Sequence, residues 1–121
     1  MRMNDEEYFR SCVALERHLA QLLGMRNIEE FSESAGALWH EALPVPRWCR
    51  DWEACAPLIA AHTLHIEWDD DPADPYGPAV RIARQRVHLK DHPTPDHALR
   101  YAIVKAAIAH LEHQHHVARC R

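Results

Sequence analysis

The chain has 121 residues, of which 47 % are hydrophobic and 26 % charged, and a formal net charge of −4. That make-up predicts one globular domain spanning residues 1–121, and the mildly negative charge argues against non-specific binding to nucleic acid. No apolar run reaches the roughly 20 residues of a membrane span, and residues 1–24 are too charged for a signal peptide, so a cytoplasmic protein without a membrane partner is expected.

Asn4 followed by Glu7 has capping-box spacing, and Tyr8, Cys12, Leu15, Leu19 and Leu22 then recur at alternating steps of four and three. Asn27 and Glu30 repeat the cap, followed by Phe31, Ala35, Leu38 and Ala42. Two amphipathic helices result, stopped at Gly24 and Pro44, and their short linker predicts an antiparallel helical hairpin over residues 1–43. Leu43-Pro44-Val45-Pro46 must be extended. Residues 48–61 read as a short helix that buries Trp48, Trp52, Cys55 and Ile59, with a kink or break near Ala54 because Pro57 lacks an N–H. Residues 63–68 alternate as a strand, Leu64, Ile66 and Trp68 on one face and Thr63, His65 and Glu67 on the other. Residues 69–78 hold four Asp, three Pro and one Gly and form a loop. A second strand follows over 79–89, but Val80 and Ile82 differ in parity from Val87 and Leu89, which predicts a bulge over 83–85.

Thr94 caps the last helix, residues 94–118, with Pro95 in its first turn. Leu99, Ala102, Ile103, Ala106 and Val117 form one apolar stripe, and Tyr101, Val104, Ile108 and Leu111 form a second, roughly opposite. A helix with two stripes must be covered on two sides. The fold class is therefore α+β: a helical hairpin, a short helix, a two-stranded antiparallel hairpin and a long C-terminal helix, layered like an α/β/α sandwich. Trp52, Ile66, Trp68 and Ile103 are expected at its centre, almost fully buried. The first helix can cover the second stripe, but it must also pack on the second helix. The leftover apolar surface then serves a homodimer or a partner protein.

Read together, Asp51-Trp52 followed by Pro57-Leu58-Ile59, and then Thr94-Pro95 with Ala98, Arg100 and Val104, resemble the phage ABA sandwich domain. The likeness covers about residues 46–109. It implies a compact α/β/α domain from a phage or prophage and brings no catalytic residues with it. The hairpin at 1–43 and the His-rich end at 110–121 lie outside it.

Four groups of residues could carry chemistry. His110, His113, His116 and Cys120 follow one another along the last helix, and imidazole and thiolate are the ligands zinc prefers. His18 or His40 could complete that site, which makes zinc the one cofactor to consider. The plain alternative is a half-exposed helix end. Asp69, Asp70, Asp71 and Asp74 offer oxygen ligands without EF-hand spacing, or an acidic interaction surface that mimics nucleic-acid phosphates. Arg81, Arg84, Arg86 and His88 could track a phosphate backbone, although pairing with Glu67 across the hairpin is simpler. The second stripe, Tyr101, Val104, Ile108 and Leu111, is the candidate protein-binding surface. The four cysteines contain no CxxC pair and read as idle thiols; neither they nor Ser11, Ser32 and Ser34 sit in a glycine-flanked turn that would make a nucleophile.

The expected function is therefore a phage- or prophage-encoded accessory protein. It would bind a host protein without catalysis, for instance a component of a defence system, as an anti-CRISPR does. The alternatives are a zinc protein or small hydrolase built on the C-terminal His/Cys cluster, and a nucleic-acid-binding module built on the arginine-rich strand.

Overall fold

In a computed structural model of the protein, residues 2–31 and 35–119 are described. The chain runs α1 (Asp5–Leu22), β1 (Glu29–Glu30), β2 (Leu38–His40), β3 (Leu43–Pro44), α2 (Trp52–Ala61), β4 (Ile66–Asp69), β5 (Ala79–Ile82), β6 (Gln85–His88), a short 3-10 turn at Leu89–Asp91 and α3 (Pro95–Arg119). It is a mixed α+β fold organised around α3, as its two stripes require.

α3 packs against α1, α2, β5 and β6. Ala102, Ile103, Val104 and Ala107 are wholly buried, and Ile108 and Leu111 nearly so. The Tyr101 hydroxyl meets Ser11 of α1 at 2.9 Å, which turns the second stripe toward the first helix. α1 answers with Tyr8, Cys12, Val13, Leu19 and Ala20, all buried. Its Asn4 cap accepts from the Glu7 N–H at 2.8 Å, and Thr94 accepts from the His97 N–H at 3.2 Å at the start of α3. Past Leu111 the helix leaves the core, so Val117 is exposed instead of continuing the first stripe.

The predicted second helix does not form. Glu29–Glu30, Leu38–His40 and Leu43–Pro44 form instead a small antiparallel sheet in the order β1-β2-β3, with Glu30 opposite Leu38 and Trp39 opposite Pro44. The reasons are local. Asn27 lies in the left-handed region (φ 56°), and Glu41 and Ala42 both have positive φ, as the tight turn between two strands demands. Gly36 also has positive φ, with the Phe9 ring so close that a side chain there would clash. The Glu30 carboxylate, expected to cap a helix, instead accepts from the Gly36 N–H at 2.8 Å and pairs with Arg10 at 3.2 Å. Without a second helix, α1 is free to give its apolar face to α3.

The predicted bulge is also a turn. Ala83 and Arg84 close a hairpin between β5 and β6, with Ala83 at φ 53°, and Val80 stands opposite Val87. Folding back explains the slip in parity, because the facing residues of an antiparallel hairpin with a two-residue turn have opposite parity. β4 pairs with β5 to complete a sheet in the order β4-β5-β6. α3 covers β5 and β6, whereas β4 overhangs as an edge strand. Trp68, expected in the core, is therefore 60 % exposed, and Ile66 is only half-buried. Of the four residues expected at the centre, Ile103 alone is fully buried; Trp52 is half-buried beneath the Arg100 guanidinium at 5.2 Å. α2 is capped by Asp51 and continues through Pro57 as one element.

Candidate histidine-lined cleft

Where the sheet overhangs α3, a cleft of about 600 Å³ opens between the end of α2, the start of β4, the β5–β6 turn and the middle of α3. Its floor is apolar, made by Leu64, Ile82, Ala106 and Ala109. Its rim is basic or titratable, made by His62, His65, Arg84, His110 and His113. No carboxylate or thiol lines it among the described residues. The Thr63 hydroxyl donates to the His62 carbonyl at 2.8 Å and is not poised as a nucleophile.

His62 is the residue that ends α2, and the turn there aims its ring at α3. The Nδ1 atoms of His62 and His110 lie 2.9 Å apart with the rings nearly perpendicular. One ring donates its N–H and the other accepts, so the bond survives only while at least one imidazole is neutral. Burial, and then the neighbouring His110, hold the His62 pKa below the ordinary histidine value. His65 points outward to Glu67 at 3.2 Å.

Among the described residues the expected zinc cluster is not assembled. His110 turns to His62, and His113 is exposed on the next turn of the same cleft. His116 is exposed further along the helix, and Cys120 lies outside the described residues. Among the described residues no three His, Cys, Asp or Glu side chains are grouped to hold a metal ion.

The second stripe is not available to a partner either. Val104, Ile108 and Leu111 are core residues, and Tyr101 is half-buried against Ser11 and Tyr8. The acidic loop divides. Asp74 accepts from Arg86 at 2.6 Å and pairs with His88 at 2.8 Å, and Asp69 reaches Arg86 at 3.2 Å. The His88 hydrogen bond, and then the Tyr76 N–H, hold the Asp74 carboxyl below its ordinary pKa. Asp70 and Asp71 remain on the surface. Arg81 pairs with Glu67 at 3.3 Å, the cross-strand account given above, so two of the three arginines of the basic strand already face carboxylates.

His62 and His65 were not singled out in the sequence. The only signal was their place at a helix end and strand start with an apolar neighbour, and the bond to His110 spans 48 positions. No helix of the described residues is long and apolar enough to cross a membrane. No protein-family model, no curated protein and no solved structure matches this chain.

Proposed function

We propose that this protein acts by non-catalytic binding of a host protein, in a phage or prophage setting and within the host cytoplasm, and that the partner enters the histidine-lined cleft. The cleft itself carries the reading: its volume is that of a ligand pocket, its floor is apolar, and its rim offers imidazoles and the Arg84 guanidinium. Those groups suit a protruding segment with an apolar side chain and a neighbouring carboxylate. The resemblance over residues 46–109 supports the phage setting, and an anti-defence target is the proposal that follows from it.

Two cleft variants test the idea. Ala109→Trp fills the floor, and Arg84→Glu reverses the rim charge. A protein captured from host lysate by the parent, and lost by both variants at unchanged melting temperature, is the expected result. Capture that persists equally with both variants removes the cleft from the interface.

A further inference from the structure

The buried core holds a second group of reactive side chains, outside the lining of the cleft. Cys12 of α1 and Cys49, in the turn that leads into α2, are both completely buried. Their sulfur atoms lie 2.8 Å apart, closer than two unbonded sulfurs pack. Neither thiol is bonded to a partner covalently. The Cys49 backbone is pinned from three sides. Its carbonyl accepts from the Tyr8 hydroxyl at 3.0 Å and from Arg100 at 3.2 Å, and its N–H donates to the Glu16 carboxylate at 3.1 Å. Arg50 holds that carboxylate in turn at 2.6 Å. Three hydrogen bonds on one residue leave Cys49 little room to draw its sulfur away from Cys12. By contrast, the buried Cys55 sulfur has the Arg100 carbonyl, at 4.0 Å, as its polar neighbour.

We infer that Cys12 and Cys49 are a redox couple that closes to a disulfide, stapling α1 to the turn before α2. With hydrogen peroxide as oxidant the chemistry balances. One cysteine, as thiolate, attacks the peroxide oxygen, the O–O bond breaks, and water leaves a sulfenic acid. The second sulfur attacks that sulfur, the S–S bond forms, and a second water departs. Two electrons pass from the two sulfurs to the peroxide, and the two thiol protons end in the waters. The hydrogen bond with Cys12, and then burial, push the Cys49 thiol well above its ordinary pKa. The thiolate is therefore scarce in the closed fold, so the reaction proceeds through opening of the α1 contact and is slow. In a reducing compartment the pair rests as thiols, and under peroxide stress it closes.

The full-length protein, reduced and then exposed to hydrogen peroxide, provides the test. The expected product has lost about 2 Da, keeps only the thiols of Cys55 and Cys120 open to alkylation after denaturation, and yields a linked peptide containing Cys12 and Cys49. Its melting temperature rises by about 10 °C, since the bond closes a long loop of the unfolded chain, and dithiothreitol reverses both changes. Cys12→Ala should abolish the mass loss. Should that variant fail to fold, peptide mapping of the parent still decides. Four alkylatable thiols after peroxide treatment, a sulfinic acid on Cys12 or Cys49, or a link to Cys55 or Cys120 instead would overturn the inference.

Discussion

Ile103 and Glu16 show how differently two buried side chains act at the level of single residues. Ile103 is fully buried where α3 meets the sheet and α2. Truncation to Ala should cost about 2–5 kcal/mol, and a urea titration that finds a loss under about 0.5 kcal/mol would contradict its central place. Glu16 is 1 % exposed and its carboxylate meets Arg50 at 2.6 Å. Burial raises its pKa, against the Arg50 pair that lowers it. Removing Arg50 strands that carboxylate in the interior. Arg50→Ala should therefore cost about 3 kcal/mol, while Arg50→Lys, which keeps the charge but not the two-pronged contact, should cost less. Equal losses for both variants would show that packing of Arg50 over Phe9, at 5.2 Å, matters more than the ion pair. Ile103 was legible in the sequence because it sits in a periodic stripe. Glu16 was not, since a glutamate on an amphipathic helix reads as solvated until the turn carrying Cys49 and Arg50 closes over it.

Among the elements, α1 and α3 could be read because their caps and stripes are local: Asn4 with Glu7, and Thr94 with Pro95. Residues 27–44 could not, because their stripe relied on Ala35 and Ala42, which bury little, while Gly36 and two consecutive positive-φ residues favoured a turn. The cleft was half legible. His110 and His113 lie on one helix, but His62 reaches them only through tertiary packing. The β5–β6 hairpin and the loop before it lead to a prediction. Ala83 holds a left-handed conformation that glycine adopts without strain, so Ala83→Gly should stabilise by about 1 kcal/mol, and a lower melting temperature would contradict the turn. In the acidic loop, Asp74→Asn should lower the melting temperature at pH 7, whereas Asp70→Ser should leave it unchanged. Because the Asp74 pKa is lowered in the fold, its contribution is present above the ordinary carboxyl range and is lost as pH falls through the folded value. The gap between Asp74→Asn and the parent should therefore close in acid.

At the scale of the whole molecule, both stripes of α3 are covered inside the chain as far as Leu111, so a homodimer would have to use another surface. The exposed apolar side chains that remain, among them Leu23, Leu43 and Trp68, lie on separate elements. Sedimentation at micromolar concentration should give a mass near 14.0 kDa. A mass twice as large that falls to the monomer with Trp68→Ala would place a dimer on the open edge of β4.

The histidines impose a second property on the whole fold. His62, His92 and His97 all have pKa values lowered chiefly by burial. His92 is 4 % exposed, and its Nδ1 has no hydrogen-bond partner among the described residues, so burial outweighs the nearby Asp91 carboxylate that favours an added proton. Below about pH 6.5 the unfolded chain takes up protons that the fold resists. Stability is therefore complete above that value and declines as pH falls toward the lowered folded pKa values, by at most about 1.4 kcal/mol per pH unit for each histidine. Glu16 opposes the trend, because its raised pKa lets the fold accept that proton before the unfolded chain does, but it is one group against three. The melting temperature should thus fall by several degrees between pH 7.5 and 5.5. His92→Phe, which keeps the ring between Tyr8 and Tyr101 and removes the titration, should flatten part of that slope. A melting temperature that is level or rising toward pH 5.5 would mean that the histidines accept their protons inside the fold. The cleft pair would then be the first place to look, since a shared proton between His62 and His110 is the one arrangement there that tolerates a charge.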